Sequence, residues 1–206
     1  MSLLLRRRML IANSEQGLLP SEYQQVEYIE ATGTQFLDIE EQAFGSSEIE
    51  CKFQFTQKSS GFIFGSRKSS SANQTTLLLN SSGNIVCCAM ANAAQTIKKY
   101  DSDIHTIVMN SETVVFDNEI TLSFSLGFTS PTTINLFACN DLAQGEGYSK
   151  SHSRMYYFRK KENGILTRDL IPCYRKSDDV IGMYDIANDV LYTNKGTGTF
   201  LKGADV

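Results

Sequence analysis

Apolar and polar residues alternate along much of this chain. The clearest stretch is Ser46–Phe55, in which nearly every second residue is apolar. Because successive side chains of a β-strand point to opposite faces, this alternation predicts a strand with one buried and one solvated face. The buried face would carry Ile49, Cys51, Phe53 and Phe55, and the solvated face Glu48, Glu50, Lys52 and Gln54.

Shorter apolar or alternating runs predict further strands in the rest of the chain. Polar turn residues separate them, and Asp117-Asn118 and Asn163-Gly164 are typical of tight hairpins. Helical periodicity is scarce: Ser21 and Gln24 are spaced as a capping box, but the residues that follow suit a strand as well. The predicted strands are Val26–Ile29, Gln35–Ile39, Phe62–Gly65, Thr75–Leu79, Ile85–Ala89, Thr96–Tyr100, Thr106–Met109, Val114–Phe116, Ile120–Phe124, Thr133–Cys139, Met155–Arg159, Leu166–Ile171, Val180–Tyr184 and Val190–Thr193.

Many short strands joined by polar turns are typical of an antiparallel all-β sandwich or barrel. The 206 residues correspond to one domain of ordinary size, and 41% of them are apolar, which is enough for a sizeable core. We therefore expect one all-β domain. No apolar run reaches the roughly 20 residues that span a bilayer, so no membrane insertion is expected.

Charge is unevenly distributed along the chain. There are 19 Lys and Arg against 23 Asp and Glu, a formal net charge of −4, which argues against nucleic-acid binding. Lys150–Asp179 holds eight basic and four acidic residues, and Met1–Asn13 adds three arginines, so the rest of the chain is acidic. A basic flank on an acidic body favours a charged partner or self-assembly, although solvated hairpins would show the same pattern.

The N-terminus combines leucines with a run of arginines. A secretory signal peptide has its positive charge first and an apolar stretch after it, whereas here Leu3–Leu5 precede Arg6–Arg8, so no signal peptide is expected. Two interpretations remain open: a short arm that docks on a partner, or a terminus without a partner. The candidate docking residues are Leu4, Arg6, Arg7 and Arg8.

The five cysteines do not form a metal or disulfide motif. Their number is odd, Cys87 and Cys88 are adjacent, and no CxxC pair exists. Each lies in an apolar stretch, which predicts small core residues rather than reactive thiols.

Residues for catalysis are few. Glu48 and Glu50, like Asp38 and Glu40, have the spacing that puts two carboxylates on one face of a strand, as a glycanase requires. Glu48 and Glu50 alternate with the apolar residues, however, and are predicted to lie on the solvated face. His105 and His152 lie in no metal or catalytic motif and are predicted to be surface residues. We therefore expect no enzyme, and a glycanase is only a weak alternative.

No cofactor is expected. Oxygen ligands for calcium are available at Asn140-Asp141 and Ser177-Asp178-Asp179, but turns are rich in such residues anyway. Sugar recognition would use aromatic side chains and polar groups near loops. The chain has nine Tyr, twelve Phe and no Trp. The candidate ligand-binding residues are Arg67, Tyr148, Tyr156 and Tyr174.

Four stretches together resemble a known type of domain. They are Val26–Phe36 (VEYIEATGTQF), Phe64–Arg67 (FGSR), Leu166–Lys176 (LTRDLIPCYRK), and Ile181–Ile186 (IGMYDI) with Leu191–Asn194 and Gly196–Phe200. The chain resembles the laminin-G-like, concanavalin A-like jelly-roll domains of phages, prophages and gut-bacterial surface proteins. The resemblance covers about residues 20–203. It implies a two-sheet antiparallel jelly-roll sandwich that is used for binding or as a virion building block.

Physical chemistry gives the C-terminal part of this signature a structural explanation, closure of the fold. Arg168 and Asp169 can form a charge-assisted pair beside a strand, and Tyr184 and Tyr192 can pair across a hairpin. The expected organisation is a basic arm and linker (1–19), a jelly-roll domain (20–203) and a short tail (204–206).

The leading functional hypothesis is a non-enzymatic structural or adhesive module of a phage or prophage particle, such as a head decoration, fibre or tail component. Its arm would dock on other virion proteins or on further copies of this chain, and its loops would contact host-surface glycans. Such a protein is assembled in the bacterial cytoplasm and becomes part of the virion. The alternative is a free-standing carbohydrate-binding surface module.

Overall fold

The structure is a computed structural model that describes residues 19–125, 127 and 129–206. Within these residues the chain forms strands and no helix. The candidate docking residues Leu4, Arg6, Arg7 and Arg8 lie outside the described residues. The strands are β1 (Tyr23–Gln25), β2 (Ile29–Thr32), β3 (Leu37–Gln42), β4 (Ser47–Phe55), β5 (Gly61–Ser69), β6 (Ala72–Leu79), β7 (Asn84–Ala91), β8 (Gln95–Lys99), β9 (Ile104–Met109), β10 (Thr113–Phe116), β11 (Ile120–Ser123), β12 (Thr133–Leu136), β13 (Cys139–Asp141), β14 (Gly145–Tyr148), β15 (His152–Glu162), β16 (Ile165–Arg175), β17 (Val180–Asp185), β18 (Val190–Thr193) and β19 (Leu201–Lys202).

The strands form two sheets. The larger sheet has the order β11-β10-β9-β4-β15-β16-β17-β18, with β2 also paired to β15, β19 to β2, and β1 to β16. The smaller sheet has the order β14-β13-β5-β6-β7-β8, and β12 pairs with both β3 and β5. The predicted all-β jelly-roll sandwich is confirmed. One named pair in the described part of the chain, β13 with β5, is parallel, because the chain reverses beside β5 at Phe137, whose φ is 64°.

The core lies between the two sheets. On β4, Ile49, Cys51, Phe53 and Phe55 are fully buried, so the predicted alternation of this strand is confirmed. Phe64 of the smaller sheet contacts Phe158 of the larger one, with ring centroids 5.7 Å apart. All five cysteines are free and buried, as predicted. Burial raises the pKa of the Cys87 thiol to about 12 and that of Cys88 to about 11, which keeps both thiols protonated.

Most predicted strands are present, and the errors have local causes. In the predicted strand Val26–Ile29, residues 26–28 form the junction between β1 and β2, and Ile29 begins β2. The predicted strand Thr133–Cys139 is divided into β12 and β13 by the positive φ of Phe137. The strands β1, β14 and β19 were not predicted, since β1 has no aliphatic residue, β14 contains two glycines and β19 has only two residues. Ser21 and Gln24 form no helix, because Gln24 lies in β1.

The predicted hairpin turns are confirmed. Asp117 and Asn118 have φ angles of 52° and 58°, and Asn163 and Gly164 have φ angles of 50° and 76°. Two consecutive residues with positive φ give the tight turn whose twist matches the flanking strands. The second of these turns joins β15 to β16.

Residues 204–206, the expected tail, lie beside the first strand. The backbone N–H of Glu27 donates to the Ala204 carbonyl at 2.9 Å, and that of Val206 donates to the Gln25 carbonyl at 3.1 Å. The end of the chain therefore continues the hydrogen bonding of the larger sheet.

Two predicted side-chain pairs in the C-terminal signature are wrong. Arg168 contacts Glu41 (2.9 Å) and Asp185 (3.7 Å) instead of Asp169, and Asp169 contacts Arg159 (3.0 Å). Neighbouring residues of a strand point to opposite faces, so Arg168 and Asp169 diverge. Tyr192 is opposite Met183 rather than Tyr184.

Candidate functional site

The outward face of the larger sheet carries a group of aromatic and polar side chains on β2, β4 and β15. The register between β4 and β15 shifts at Tyr156, because Met155 is opposite Phe53 whereas Tyr157 is already opposite Lys52. Tyr156 is thus the extra residue of a β-bulge, a device that redirects side chains. As a result Tyr156 and Tyr157 are both half-buried between the buried residues Met155 and Phe158.

Two tyrosines and an arginine form the centre of this group. The rings of Tyr28 and Tyr156 meet edge to face, with centroids 5.5 Å apart and an interplanar angle of 62°. The Arg154 guanidinium carbon lies 4.3 Å from the centroid of the Tyr28 ring. Such contacts hold the rings in place while part of each remains accessible.

Hydrogen bonds fix the polar members of the group. Arg154 donates through Nε to Glu30 Oε2 at 2.7 Å and through Nη1 to Gln54 Oε1 at 3.2 Å. The hydroxyl of Tyr156 donates to the same Gln54 oxygen at 3.2 Å. The hydrogen bond from Arg154 to Glu30 raises the pKa of the guanidinium, and partial burial raises the pKa of the Tyr156 hydroxyl. Arg154 therefore stays charged and Tyr156 stays a hydrogen-bond donor. We call Tyr28, Glu30, Gln54, Arg154 and Tyr156 the sheet-face cluster.

The four candidate ligand-binding residues of the sequence analysis lie in three separate places. Tyr156 belongs to the sheet-face cluster. Arg67 is 9% exposed; its Nε lies 2.6 Å from Asp141 Oδ2, and its guanidinium carbon is 5.4 Å from the ring centroid of Tyr148. Tyr174 contacts Lys202 and Asp205 near the C-terminus. The structure therefore joins Arg67 to Tyr148 and leaves Tyr156 and Tyr174 apart from them.

Tyr28, Glu30, Gln54 and Arg154 were not among the predicted site residues. They come from three distant segments, and only the strand register brings them together. One local signal was present: the apolar alternation breaks at Tyr156-Tyr157, which indicates a bulge.

The carboxylates considered for catalysis are engaged with other side chains. Glu48 Oε1 lies 2.6 Å from Lys161 Nζ, and Glu50 Oε1 accepts a hydrogen bond from the Tyr157 hydroxyl at 2.7 Å. Asp38 Oδ1 accepts from the backbone N–H of Glu40 at 2.8 Å. Glu48 and Glu50 are therefore members of a polar network on the outward face, whereas Asp38 is buried.

His105 is buried, contrary to the prediction of a surface histidine, with 2% exposure. Its Nδ1 lies 2.7 Å from Asp117 and its Nε2 2.6 Å from Asp101, and its ring packs on Phe116 with centroids 4.8 Å apart. The histidine thus connects two turns and does not reach the surface. His152 is half-buried and begins β15.

The loop oxygens considered for calcium have other partners. Asp141 binds Arg67, and Asp178 Oδ2 lies 2.7 Å from Arg175. In the described part of the chain, no three His, Cys, Asp or Glu side chains come together as a metal site would require.

Two depressions of about 360 and 340 Å³ lie elsewhere on the molecule. The first is lined by residues that include Glu48, Glu112 and Lys161, and the second by residues that include Phe36, Lys150 and Lys195. Neither depression is lined by a residue of the sheet-face cluster.

Comparisons with known proteins give a fold-level likeness. No protein-family model matches the chain, and no curated protein matches it significantly in sequence. The crystal structure of a native heptameric SAP-like pentraxin from Limulus polyphemus is similar, with a TM-score of 0.48 and 12% identity over 88% of this chain and 94% of that chain. Among the residues that the structure describes, no helix is long and apolar enough to cross a membrane.

Proposed function

We propose that the chain is a non-enzymatic carbohydrate-binding module whose sheet-face cluster receives the sugar. The observation that carries this proposal is the pairing of the half-buried rings of Tyr28 and Tyr156 beside Arg154. An aromatic face accepts the apolar C–H side of a sugar ring, while guanidinium, amide and carboxylate groups bind its hydroxyls.

Preorganisation supports the proposal. Gln54 accepts from both Arg154 and Tyr156, and its own Nε2 donates to the Ser102 carbonyl at 2.7 Å. Side chains that are already fixed lose little conformational entropy when a ligand binds. The open sheet surface around them leaves room for a polysaccharide chain to continue in either direction.

Substitution of the two tyrosines tests this proposal. Tyr28→Ala and Tyr156→Ala are each expected to weaken glycan binding about tenfold, because truncating an aromatic anchor commonly costs over 1 kcal/mol. A glycan array identifies the ligands, and titration calorimetry with the wild-type and variant proteins measures the affinities.

Tyr174→Ala is the matched control, since Tyr174 lies in a separate contact group, and it is expected to leave the affinity unchanged. Folding of all variants is checked by thermal unfolding. The proposal is contradicted if no array glycan binds, if neither cluster variant weakens binding, or if incubation with the glycan releases new reducing ends.

A role in a phage or prophage particle is the finer part of our proposal. It is supported by the resemblance in Val26–Phe36 and in the C-terminal stretches, together with the basic, leucine-rich N-terminus. The module would bind host-surface glycans with the sheet-face cluster. Its N-terminal residues would dock on other virion proteins or on further copies of this chain, through Leu4, Arg6, Arg7 and Arg8.

Removal of residues 1–18 tests the docking role. The shortened protein is expected to keep its fold and its glycan affinity but to lose association with particles, as measured by co-sedimentation with assembled virions. A variant with Arg6, Arg7 and Arg8 changed to Ser is expected to lose most of this association. Unchanged co-sedimentation of both proteins would refute docking through the arm.

A further inference from the structure

One residue from each of five neighbouring strands forms a row across the outward face of the larger sheet. Ile104 on β9 is opposite Gln54 on β4, and Gln54 is opposite Arg154 on β15. Arg154 is in turn opposite Glu30 on β2, which is opposite Leu201 on β19. Four spacings between strands give this row a length of roughly 19 Å.

The row contains the polar members of the sheet-face cluster and ends in exposed apolar residues. Ile104 is 47% exposed and Leu201 is 53% exposed, at opposite ends. Between them lie Gln54, Arg154 and Glu30, which are linked by hydrogen bonds. A ligand lying across the strands would therefore have polar partners in the middle and apolar contacts at both ends.

Lys52 adds a positive charge to this surface that has no direct partner among the described residues. It lies two residues before Gln54 on β4, so both side chains point outward. Its ammonium nitrogen lies 5.4 Å from the centroid of the Tyr156 ring. Within the described residues Lys52 is half-buried and forms no hydrogen bond or ion pair, whereas Lys161 on the same face lies 2.6 Å from Glu48.

Two of the nearby carboxylates are used by other groups, whereas Glu27, whose charge also acts on Tyr156, is exposed. Glu30 binds Arg154 at 2.7 Å. Glu50, the preceding outward residue of β4, accepts from the Tyr157 hydroxyl at 2.7 Å and lies 3.9 Å from Arg159. The Lys52 ammonium, beside the Tyr156 ring and without a carboxylate partner among the described residues, is placed to pair with an anionic group of a ligand that packs on this ring.

We infer that the glycan bound by the sheet-face cluster is an acidic polysaccharide that lies across the strands between Ile104 and Leu201. One of its sugar rings packs on Tyr156, and the anionic group of that sugar pairs with Lys52. This inference rests on the proposed function and adds the charge class and the direction of the ligand.

Polygalacturonate and its methyl ester provide the test, since esterification removes the negative charges and keeps the sugar backbone. The wild-type protein is expected to bind polygalacturonate at least about tenfold more tightly than the ester at low salt, with a preference that shrinks as salt is added. Dextran sulfate and dextran form a second pair, which distinguishes sulfate from carboxylate recognition.

Lys52→Met keeps the aliphatic stem and removes the charge. The variant is expected to bind polygalacturonate about five- to tenfold more weakly at low salt and the ester unchanged. Lys161→Met is the matched control and should bind both forms like the wild type. Ile104→Ser and Leu201→Ser are expected to weaken binding of long fragments and to leave disaccharide binding unchanged.

The outcomes separate this inference from the proposed function. Suppose that glycans bind through Tyr28 and Tyr156, but that neither the charge of the polysaccharide nor Lys52→Met changes the affinity. The acidic ligand is then refuted, whereas the proposed carbohydrate-binding function is not. If long fragments bind no better than disaccharides, the direction across the strands is refuted. If no glycan binds at all, both are refuted.

Discussion

Lys160 is fully buried although it is charged. Its ammonium nitrogen lies 2.7 Å from Glu41 Oε1 and 3.0 Å from Glu162 Oε2, and 5.6 Å from the Phe44 ring centroid. A buried ion pair adds little net stability, but removing one partner leaves the other charge buried without compensation. The sequence contained a signal for this, since Lys160 continues the alternation of the buried Phe158. Lysine is seldom fully buried, so the residue type alone indicates the opposite position.

We expect Lys160→Met to lower the free energy of unfolding by about 2 kcal/mol, because Glu162 loses its cation while Glu41 keeps Arg168 at 2.9 Å. Urea denaturation followed by circular dichroism measures this value. Lys161→Met removes a neighbouring lysine that pairs with Glu48 near the surface, and its expected cost is below about 1 kcal/mol. If Lys160→Met and Lys161→Met lowered the free energy of unfolding equally, the stabilising role assigned to the ion pairs of Lys160 with Glu41 and Glu162 would be contradicted.

The burial of single residues could be predicted from the sequence for the cysteines but not for His105. The burial of the cysteines was predicted correctly, because each lies in an apolar stretch, as Cys51 does between Ile49 and Phe53. His105 was not, because its burial depends on Asp101 and Asp117, which approach from two different turns. A residue whose partners come from other segments gives no signal in its own segment.

Among the elements, β15 is central to both the larger sheet and the sheet-face cluster. It pairs with β4, β2 and β16, so it connects most of the larger sheet. The sequence predicted its central part, Met155–Arg159, from apolar residues, whereas the structure extends it over His152–Glu162. The bulge at Tyr156 could only be seen as a break in alternation, and the sequence did not show which neighbours Tyr156 would meet.

The hairpin of β15 and β16 is anchored to the start of β4 by Glu162. This carboxylate accepts hydrogen bonds from the Ser46 and Ser47 hydroxyls and from Lys160. Partial burial alone would raise the pKa of Glu162, but these hydrogen bonds outweigh it and hold the pKa below the usual value of 4.5. A carboxyl whose pKa is lowered by folding stabilises the protein above its unfolded pKa, and this stabilisation is lost as the pH falls.

We therefore expect the free energy of unfolding to decrease as the pH falls below about 4.5. Glu162→Gln should be less stable than the wild type at pH 7, and the difference should shrink toward acid pH. Urea denaturation at several pH values between neutral and about 3 measures both curves. A difference that stays constant over this range would contradict the role assigned to Glu162.

For the whole molecule, the fold class followed from local patterns and the site did not. Each segment carries its own period-two alternation and turn residues, which is why an antiparallel all-β sandwich or barrel was predicted. The choice of a jelly-roll sandwich came from the family resemblance. The sheet-face cluster joins Tyr28, Gln54 and Arg154 through the pairing of β2, β15 and β4. Strand order and register arise from packing of the complete chain, so one sequence did not indicate this constellation.

The C-terminal signature is explained at this scale as well. Arg168 reaches Glu41 near the end of β3 and Asp185 at the end of β17. It therefore connects segments of both sheets, which agrees with the predicted role in closing the fold, although its partners differ from the predicted one.

The central claim is that the outward face of the larger sheet binds glycans. An NMR titration with galacturonate and with galactose oligosaccharides tests it most directly, because backbone amide shifts show which surface the ligand touches. We predict saturable shifts at Tyr28, Gln54, Arg154 and Tyr156. Shifts confined to other surfaces, such as Arg67 and Tyr148 or the depression lined by Phe36 and Lys150, or no shifts with either ligand, would contradict the claim.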